Sequence, residues 1–281
     1  MPTASAPASS ANLGPGFDVL ALALELRCTV TAEPGASWEL THVGLERPNR
    51  GPDLVLEAAR RAHVHGAPLL LTVDNNIPIG RGLGSSAAAA TAGAAAAWRA
   101  AGFEPDLEAV FRLVAELEEH PDNAAAAVYG GLVLATPDGQ VTRLSPHQSL
   151  IPVVAIPDRP LSTSEARGVL ADQIPRSVVV RSLGRVAALV AGLLSADPAL
   201  LSAACGDELH ESPRNRHRPE VAKLIDTARE AGSLHACWSG AGPSVLALTT
   251  EDTLASVTLA LEAVIGEGTV RQFDVAETGL K

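Results

Sequence analysis

Residues 78–87 read Pro78-Ile79-Gly80-Arg81-Gly82-Leu83-Gly84-Ser85-Ser86-Ala87, and an alanine-dense stretch follows at once to about Ala101. The apolar run Leu69 to Val73 just before it predicts a short buried strand, and Gly102 suits the stop of the helix behind it. The chain must therefore leave a strand, turn through three alternating glycines and enter a helix. Backbone N–H groups in such a loop approach an anion closely because no Cβ stands in the way, and the helix adds its positive end. Arg81 contributes a positive charge, and Ser85 or Ser86 a hydroxyl of the kind that binds magnesium. A glycine loop can also do no more than turn the chain. The flanking strand, the helix and the twin serines favour a polyphosphate. The pattern is not a Walker A loop, since no Lys follows Gly84, and its glycine spacing is not G-x-G-x-x-G.

At 281 residues the chain exceeds what one compact core usually spans, so two domains are expected, 1–150 and 151–281. The 47% hydrophobic content is ample for a buried core. A formal net charge of −11 argues against nucleic-acid binding, which rests on Lys and Arg neutralising phosphates. Residues 1–17 lack the basic and apolar parts of a secretory signal. The longest stretch free of charged residues, Ala231 to Thr250, holds His235, Gly240, Gly242 and Pro243 and does not read as a spanning helix. Cys28, Cys205 and Cys237 have no paired spacing, so neither a disulfide framework nor a zinc site is expected. A soluble, cytoplasmic protein without membrane or nucleic-acid partners is the expectation.

Local signals outline the rest. Cys28 to Thr31 alternates as a strand, and Asp53 caps a helix expected through about His65. Asp106 starts a helix to about Glu119, and Pro121 opens the next, through Tyr129. Gly130-Gly131 breaks it before strands at Leu132 to Ala135 and Val141 to Leu144. From Ile151 the expected order is strand, helices (162–170, 175–195, from 198, 219–231), a strand pair around residues 240–243, a helix (252–265) and a strand (269–274). That order matches a split βαβ, ferredoxin-like unit with added helices.

Several polar residues carry chemistry only in company. Glu118 ends one helix two residues before His120-Pro121-Asp122-Asn123, where one carboxylate could hold magnesium opposite a loop serine. Glu116 and Glu119 compete with it, but helix geometry keeps Glu116 and Glu118 off one face. His120 alone is an ordinary histidine, and His63 and His65 point to different sides. Asn12 and Asp18 flank the turn Gly14-Pro15-Gly16, where polar residues are by default turn chemistry. Their functional reading is an ammonium held by Asp18 and hydrogen bonds from Asn12. Arg167 and Arg214 are each able to grip a carboxylate through two N–H groups.

Taken together, the motifs resemble the GHMP kinase superfamily. Pro7 to Val19 (PASSANLGPGFDV) resembles its first motif, Pro78 to Ala87 its second, the ATP-phosphate loop, and Ser239 to Ser244 (SGAGPS) its third. Two further segments are similar to those of the branch that phosphorylates homoserine. Glu118 to Asn123 (EEHPDN) has Glu119 where glycine is common, and Leu161 to Arg167 (LSTSEAR) is the second; Glu211 to Arg214 fits that branch in part. The resemblance implies an α+β fold of two domains, an N-terminal ribosomal-protein-S5-domain-2-like domain with a left-handed β-α-β unit and a C-terminal ferredoxin-like domain, with ATP between them. By carry-over, Ser85 and Glu118 are the magnesium ligands. Asn12, Asp18, His120, Asn123, Thr163, Arg167 and Arg214 surround homoserine, Asp18 on the amino group and the two arginines on the carboxylate.

The implied reaction transfers the γ-phosphoryl of MgATP to the homoserine hydroxyl, giving O-phospho-L-homoserine for threonine synthesis. Some relatives place an Asp–Lys pair at the acceptor, but residues 1–150 contain no lysine. A loose transition state needs alignment and charge stabilisation more than early proton removal. No dedicated general base is therefore expected. Asn12 and Asn123 would orient the hydroxyl, and Arg167, magnesium and the helix N-terminus would stabilise charge. Relatives suggest a homodimer. The rival readings are a GHMP kinase for another alcohol and a nucleotide-binding regulator that has lost catalysis.

Overall fold

The computed structural model describes residues 1–44, 53–63 and 66–281. Strands β1 (Thr3–Ala11), β2 (Leu20–Pro34), β3 (Glu39–His42), β4 (Leu69–Asn75), β5 (Leu132–Ala135) and β6 (Val141–Leu144) form one sheet in the order β3-β4-β2-β5-β6, with β1 paired to β2. Helices α1 (Leu54–Ala62), α2 (Ser85–Ala100), α3 (Leu107–Glu118) and α4 (Pro121–Tyr129) belong with it. Among the described residues β3 and β4 are the one parallel pair, and α1 lies between them in the chain. Asp53 caps α1 as expected: its carboxylate accepts from Val55 N–H at 2.9 Å and contacts His42 Nε2 at 3.0 Å. The helix ends at Ala62, and His65 lies outside the described residues.

The alanine-dense segment is the centre of this half. All of residues 87–97 in α2 are buried, against β1, β2, α1, α3 and α4. A helix enclosed on every side needs small side chains if its neighbours are to reach it. At Gly93 the neighbour is too near for even a methyl, since a Cβ there would lie 2.8 Å from Val55 Cγ1.

The second sheet has the order β10-β7-β9-β8, from β7 (Ile151–Pro157), β8 (His235–Trp238), β9 (Val245–Thr249) and β10 (Gly268–Gln272), all antiparallel. Between β7 and β8 run α5 (Thr163–Gly168), α6 (Arg176–Ser195), α7 (Pro198–Ala203), α8 (Glu211–His217) and α9 (Pro219–Glu230); α10 (Glu251–Val264) joins β9 to β10. This is the ferredoxin-like order expected from the sequence. Helices α9 and α10 cover one face around Trp238 and Val257. On the other face Val154, Leu246 and Leu248 share a core with Leu189 and Leu193 of α6 and with the first sheet. By length and composition α6 is also apolar enough to cross a membrane.

The last residues return to the first sheet. Ala276 N–H donates to Ala23 O at 3.0 Å and Leu280 N–H to Val128 O at 3.1 Å. Ser5 and Lys281 exchange both backbone bonds at 2.9 Å. Arg27 donates to the carbonyls of Thr278 and Gly279 at 2.6 and 2.9 Å.

Candidate active site

The glycine loop lies against the loop that joins β8 to β9, and the contact explains its composition. Gly80, Gly82 and Gly84 all have left-handed backbones, with φ of 68°, 71° and 64°. A Cβ on Gly82 would fall 2.1 Å from Ser239 O, and one on Gly84 would fall 2.0 Å from Ser9 Oγ. Gly84 is the N-cap of α2, and no side chain caps that helix. The first-turn N–H groups thus open on a cleft of about 620 Å³. Arg81 does not aim its donors at the cleft: it bonds the carbonyls of Ile79 and Pro157 at 2.9 and 2.8 Å, and that of Asp158. Its guanidinium straps the loop to β7 and its charge remains nearby. Ala87 is buried in α2, whereas the other nine loop residues line the cleft.

Glu118, at the C-terminal end of α3, reaches the start of α2. Its Oε2 accepts from Ser86 Oγ at 3.1 Å, and its Oε1 is buried with no hydrogen-bond partner. Burial pushes the Glu118 pKa up, opposed in part by the Ser86 hydroxyl. Its rivals lie elsewhere. Glu116 faces Arg61 at 2.9 Å, and Glu119 is exposed in a left-handed conformation at φ 63°. Ser85 Oγ is turned inward, accepting from Asn75 Nδ2 at 2.9 Å and donating to Ile77 O at 3.3 Å. Ser86, rather than the expected Ser85, is therefore the hydroxyl that meets Glu118. An orphaned buried carboxylate oxygen beside a hydroxyl is a fitting hard-oxygen donor set for magnesium. Among the described residues no set of three His, Cys, Asp or Glu side chains could hold a metal ion. Nucleotide phosphates would have to complete the shell.

Asn123, in the first turn of α4, accepts from Ser9 Oγ at 2.8 Å. Its neighbour Asp122 is 2% exposed and also lines the cleft, and burial pushes its pKa up to about 7. His120, the N-cap of α4, contacts Glu118 O through Nδ1 at 2.6 Å. A carbonyl only accepts, so Nδ1 carries a proton there.

The turn between β1 and β2 carries three non-glycine residues with left-handed backbones, Leu13 (φ 50°) among them. Asn12 and Asp18 both have positive φ, 69° and 57°. The Asn12 amide donates to Gly240 O and accepts from Asp18 N–H, each at 3.0 Å. Its polar atoms are thus committed to holding the turn and the β8–β9 loop together, although the residue borders the cleft. Asp18 Oδ1 accepts from Arg167 Nη2 at 2.6 Å. Arg214 is 2% exposed; its Nε donates to Ala166 O at 3.2 Å and its Nη1 to Gly240 O at 3.0 Å. Burial and then the nearby Arg167 lower the Arg214 pKa to about 10. Both guanidinium carbons sit over the Phe17 ring, Arg167 at 5.3 Å and Arg214 at 5.7 Å from its centroid. Thr163, the first residue of α5, lies on the cleft wall one helical turn before Arg167.

One cleft therefore gathers Asn12, Asp18, Glu118, His120, Asn123, Thr163, Arg167 and Arg214 beside the glycine loop. Sequence reasoning passed over Ser9, Phe17 and His210. Phe17 and Ser9 stood inside the first motif, and His210 precedes Arg214 by one helical turn, the spacing at which side chains meet.

Comparison with known proteins agrees along the chain. Residues 53–131 match the family described as GHMP kinases N terminal domain, and residues 189–265 match GHMP kinases C terminal. A homoserine kinase of Clavibacter michiganensis is 41% identical over 261 residues, 87% of this chain and 81% of that protein. One from Thermus thermophilus is 38% identical over 95% of this chain and 93% of its own length. The crystal structure of homoserine kinase from Cytophaga hutchinsonii superposes with a TM-score of 0.88 at 27% identity, covering 99% of this chain and 96% of that one. The chain belongs to the homoserine kinase family of the GHMP kinases.

Proposed function

We propose that the protein phosphorylates the side-chain hydroxyl of L-homoserine with ATP, releasing O-phospho-L-homoserine and ADP. The observation that carries this reading is the charge pattern at the end of the cleft. One carboxylate (Asp18) and two guanidiniums (Arg167, Arg214) surround Phe17, the complement of a zwitterionic amino acid. Mevalonate, an alcohol used by relatives of the same fold, has no ammonium group for Asp18.

In this reading the N-terminal turn of α2 and the glycine loop receive the ATP phosphates. Glu118 and Ser86 would hold magnesium, which neutralises phosphate charge when bound. Asp18 takes the substrate ammonium, and Arg167 and Arg214 its carboxylate. Asn12 acts through the Asp18 backbone and the Gly240 carbonyl, and Asn123 supplies its amide to the acceptor hydroxyl. Alignment and charge stabilisation supply most of the acceleration, without a dedicated general base. Asp122 is the group that puts this last point to the test, because a buried carboxyl with a pKa of about 7 could also accept a proton.

The same proposal covers the setting. Residues 1–150 form the nucleotide-binding domain and 151–281 the ferredoxin-like domain of a cytoplasmic enzyme of threonine synthesis, acting on small molecules without nucleic acid or membrane. A homodimer has an available surface on α6: Val180, Leu183, Ala187, Ala191 and Leu194 are exposed. They lie three or four residues apart, so they share one face of the helix, and an isologous contact uses one such patch on both subunits.

A coupled ADP-release assay with MgATP and L-homoserine, mevalonate, L-serine or no acceptor tests the reading. Release that requires L-homoserine supports it. ATP binding without homoserine-dependent release would overturn it in favour of another alcohol or a regulatory role.

A further inference from the structure

His210, the N-cap of α8, is fully buried and joins two parts of the amino-acid end of the cleft. Its Nε2 lies 2.7 Å from Gly14 O, in the turn that carries Asp18. Its Nδ1 lies 2.8 Å from Arg214 Nη1. A carbonyl oxygen only accepts and a guanidinium only donates. The proton must therefore sit on Nε2, and Nδ1 must offer its lone pair. One neutral tautomer satisfies both neighbours. Burial, and next the Arg214 charge, push the His210 pKa down to about 4 against the pull of Asp207 and Asp18. The ring also stacks on Phe17, with centroids 4.9 Å apart and planes at 22°. Behind it, Asp207 Oδ2 accepts the backbone N–H groups of His210 and Glu211 at 2.7 and 3.0 Å, fixing the entry to α8.

We propose that His210 is a positioning residue of the amino-acid subsite, a neutral imidazole strut that donates to the Gly14 turn and accepts from Arg214, so fixing the guanidinium relative to Asp18. The inference rests on Arg214 and Asp18 being the groups that bind the homoserine carboxylate and ammonium. A protonated ring would present N–H to N–H at Arg214 and release it. Without the strut, Arg214 keeps its bonds to Ala166 O and Gly240 O and its place over Phe17, but loses the hydrogen-bonded link to Gly14 O.

Three variants separate the two hydrogen bonds. His210→Asn places an acceptor where Nδ1 stands, His210→Gln a donor where Nε2 stands, and His210→Phe keeps the ring alone. Expected are KM values for L-homoserine raised about tenfold or more in all three variants, since each cuts at least one end of the strut, the scale of one charge-assisted hydrogen bond. The KM for ATP stays unchanged and kcat stays within about threefold. A wild-type KM for L-homoserine in the Asn or the Gln variant, each of which keeps one end only, or a matching rise in the ATP KM, would overturn the proposal. So would a fall in kcat alone. Nitrogen-15 spectra of the wild-type histidine rings give a second readout that needs no variant to be active. The His210 ring should hold the Nε2–H form from about pH 5.5 to about pH 8, and an imidazolium or Nδ1–H form would refute the strut. If wild-type enzyme shows no homoserine-dependent turnover, the functional reading fails, and these spectra still decide the tautomer.

Discussion

Asp18 and Arg167 stand 149 residues apart in sequence and are joined by a 2.6 Å bond across the cleft. Each is about one-third exposed, at 32%, so the pair is open to a ligand on one side. On the proposed function, an entering amino acid would offer each of them the opposite charge, ammonium for Asp18 and carboxylate for Arg167. Asp18→Asn and Arg167→Met should each raise the KM for L-homoserine roughly 10- to 100-fold, the range of a charge-assisted hydrogen bond. The KM for ATP should move little. The double variant should lose less than the two single effects combined, since each residue also relieves the other when the cleft is empty. Initial-rate kinetics on the four proteins check this.

Glu118 keeps a buried, unpaired oxygen in the absence of ligand. Glu118→Gln replaces a desolvated carboxyl by an amide and should leave the ligand-free melting temperature unchanged or higher. Turnover should fall about 100-fold or more if Glu118 holds magnesium. Ser86→Ala should weaken the magnesium dependence more than Ser85→Ala does, since only Ser86 bonds Glu118. Magnesium titrations of the rate, with thermal melts alongside, give both numbers.

Asp122 titrates near neutrality because it is buried, from 3.8 in a free side chain to about 7 here. The folded state therefore binds a proton that the unfolded state has lost between those values, and this residue makes stability fall as pH rises through that window. Glu211, pushed from 4.5 to about 7 mainly by burial, acts with the same sign. His210, lowered from 6.5 to about 4, acts with the opposite sign. The difference in melting temperature between Asp122→Asn and wild type isolates the first term, and it should widen in favour of the variant from about pH 5 to about pH 8. Turnover of the variant should stay within about tenfold. A loss of about a thousandfold with unchanged substrate affinities would make Asp122 the base.

Backbone conformation gives predictions of opposite sign at three positions. Gly82→Ala forces a Cβ into Ser239 O and should destabilise by about 2 kcal/mol or more, combining the clash with left-handed backbone strain. Gly184, inside α6 with open space within 4 Å of where a methyl would stand, should gain about 0.5–1 kcal/mol on replacement by Ala. Glu119→Gly relieves a left-handed residue and should be neutral or stabilising by up to about 1 kcal/mol. Chemical denaturation reads all three.

Glu119 also shows what sequence can and cannot convey. In the sequence, its place where glycine is common makes it a competitor for the metal. The structure gives a backbone reason instead, since the position ends α3 at φ 63° and turns the side chain out. Elements with strong local signals were legible: Pro121 to Tyr129 and the two strands after Gly130-Gly131 stand where turn chemistry puts them. Strand β1 was not, because TASAPASSA has few β-formers and includes Pro7. Pairing with β2 and cover from α2 make it a strand, and its register shifts beside Pro7. The short α8 was hidden by Pro213, which the first helical turn tolerates because its N–H has no partner there. Within the site, residue identities were readable, but partnerships were not. Nothing local tells that Arg81 serves three carbonyls, that Asn12 spends its amide on Gly240 and Asp18, or that Ser86 turns towards Glu118 while Ser85 turns away.

The return of residues 274–281 to the first sheet has a consequence for biogenesis. Strands β1 and β2 leave the ribosome well before the second sheet does, yet Ser5 finds its partner in Lys281 and Ala23 finds its own in Ala276. A nascent chain that has released the whole glycine-loop cradle still lacks the segment that seals it. The cradle can be completed only after the second sheet has been synthesised, so the two halves of the cleft should reach maturity together, and a chain stalled short of that seam should present an open edge to chaperones and proteases.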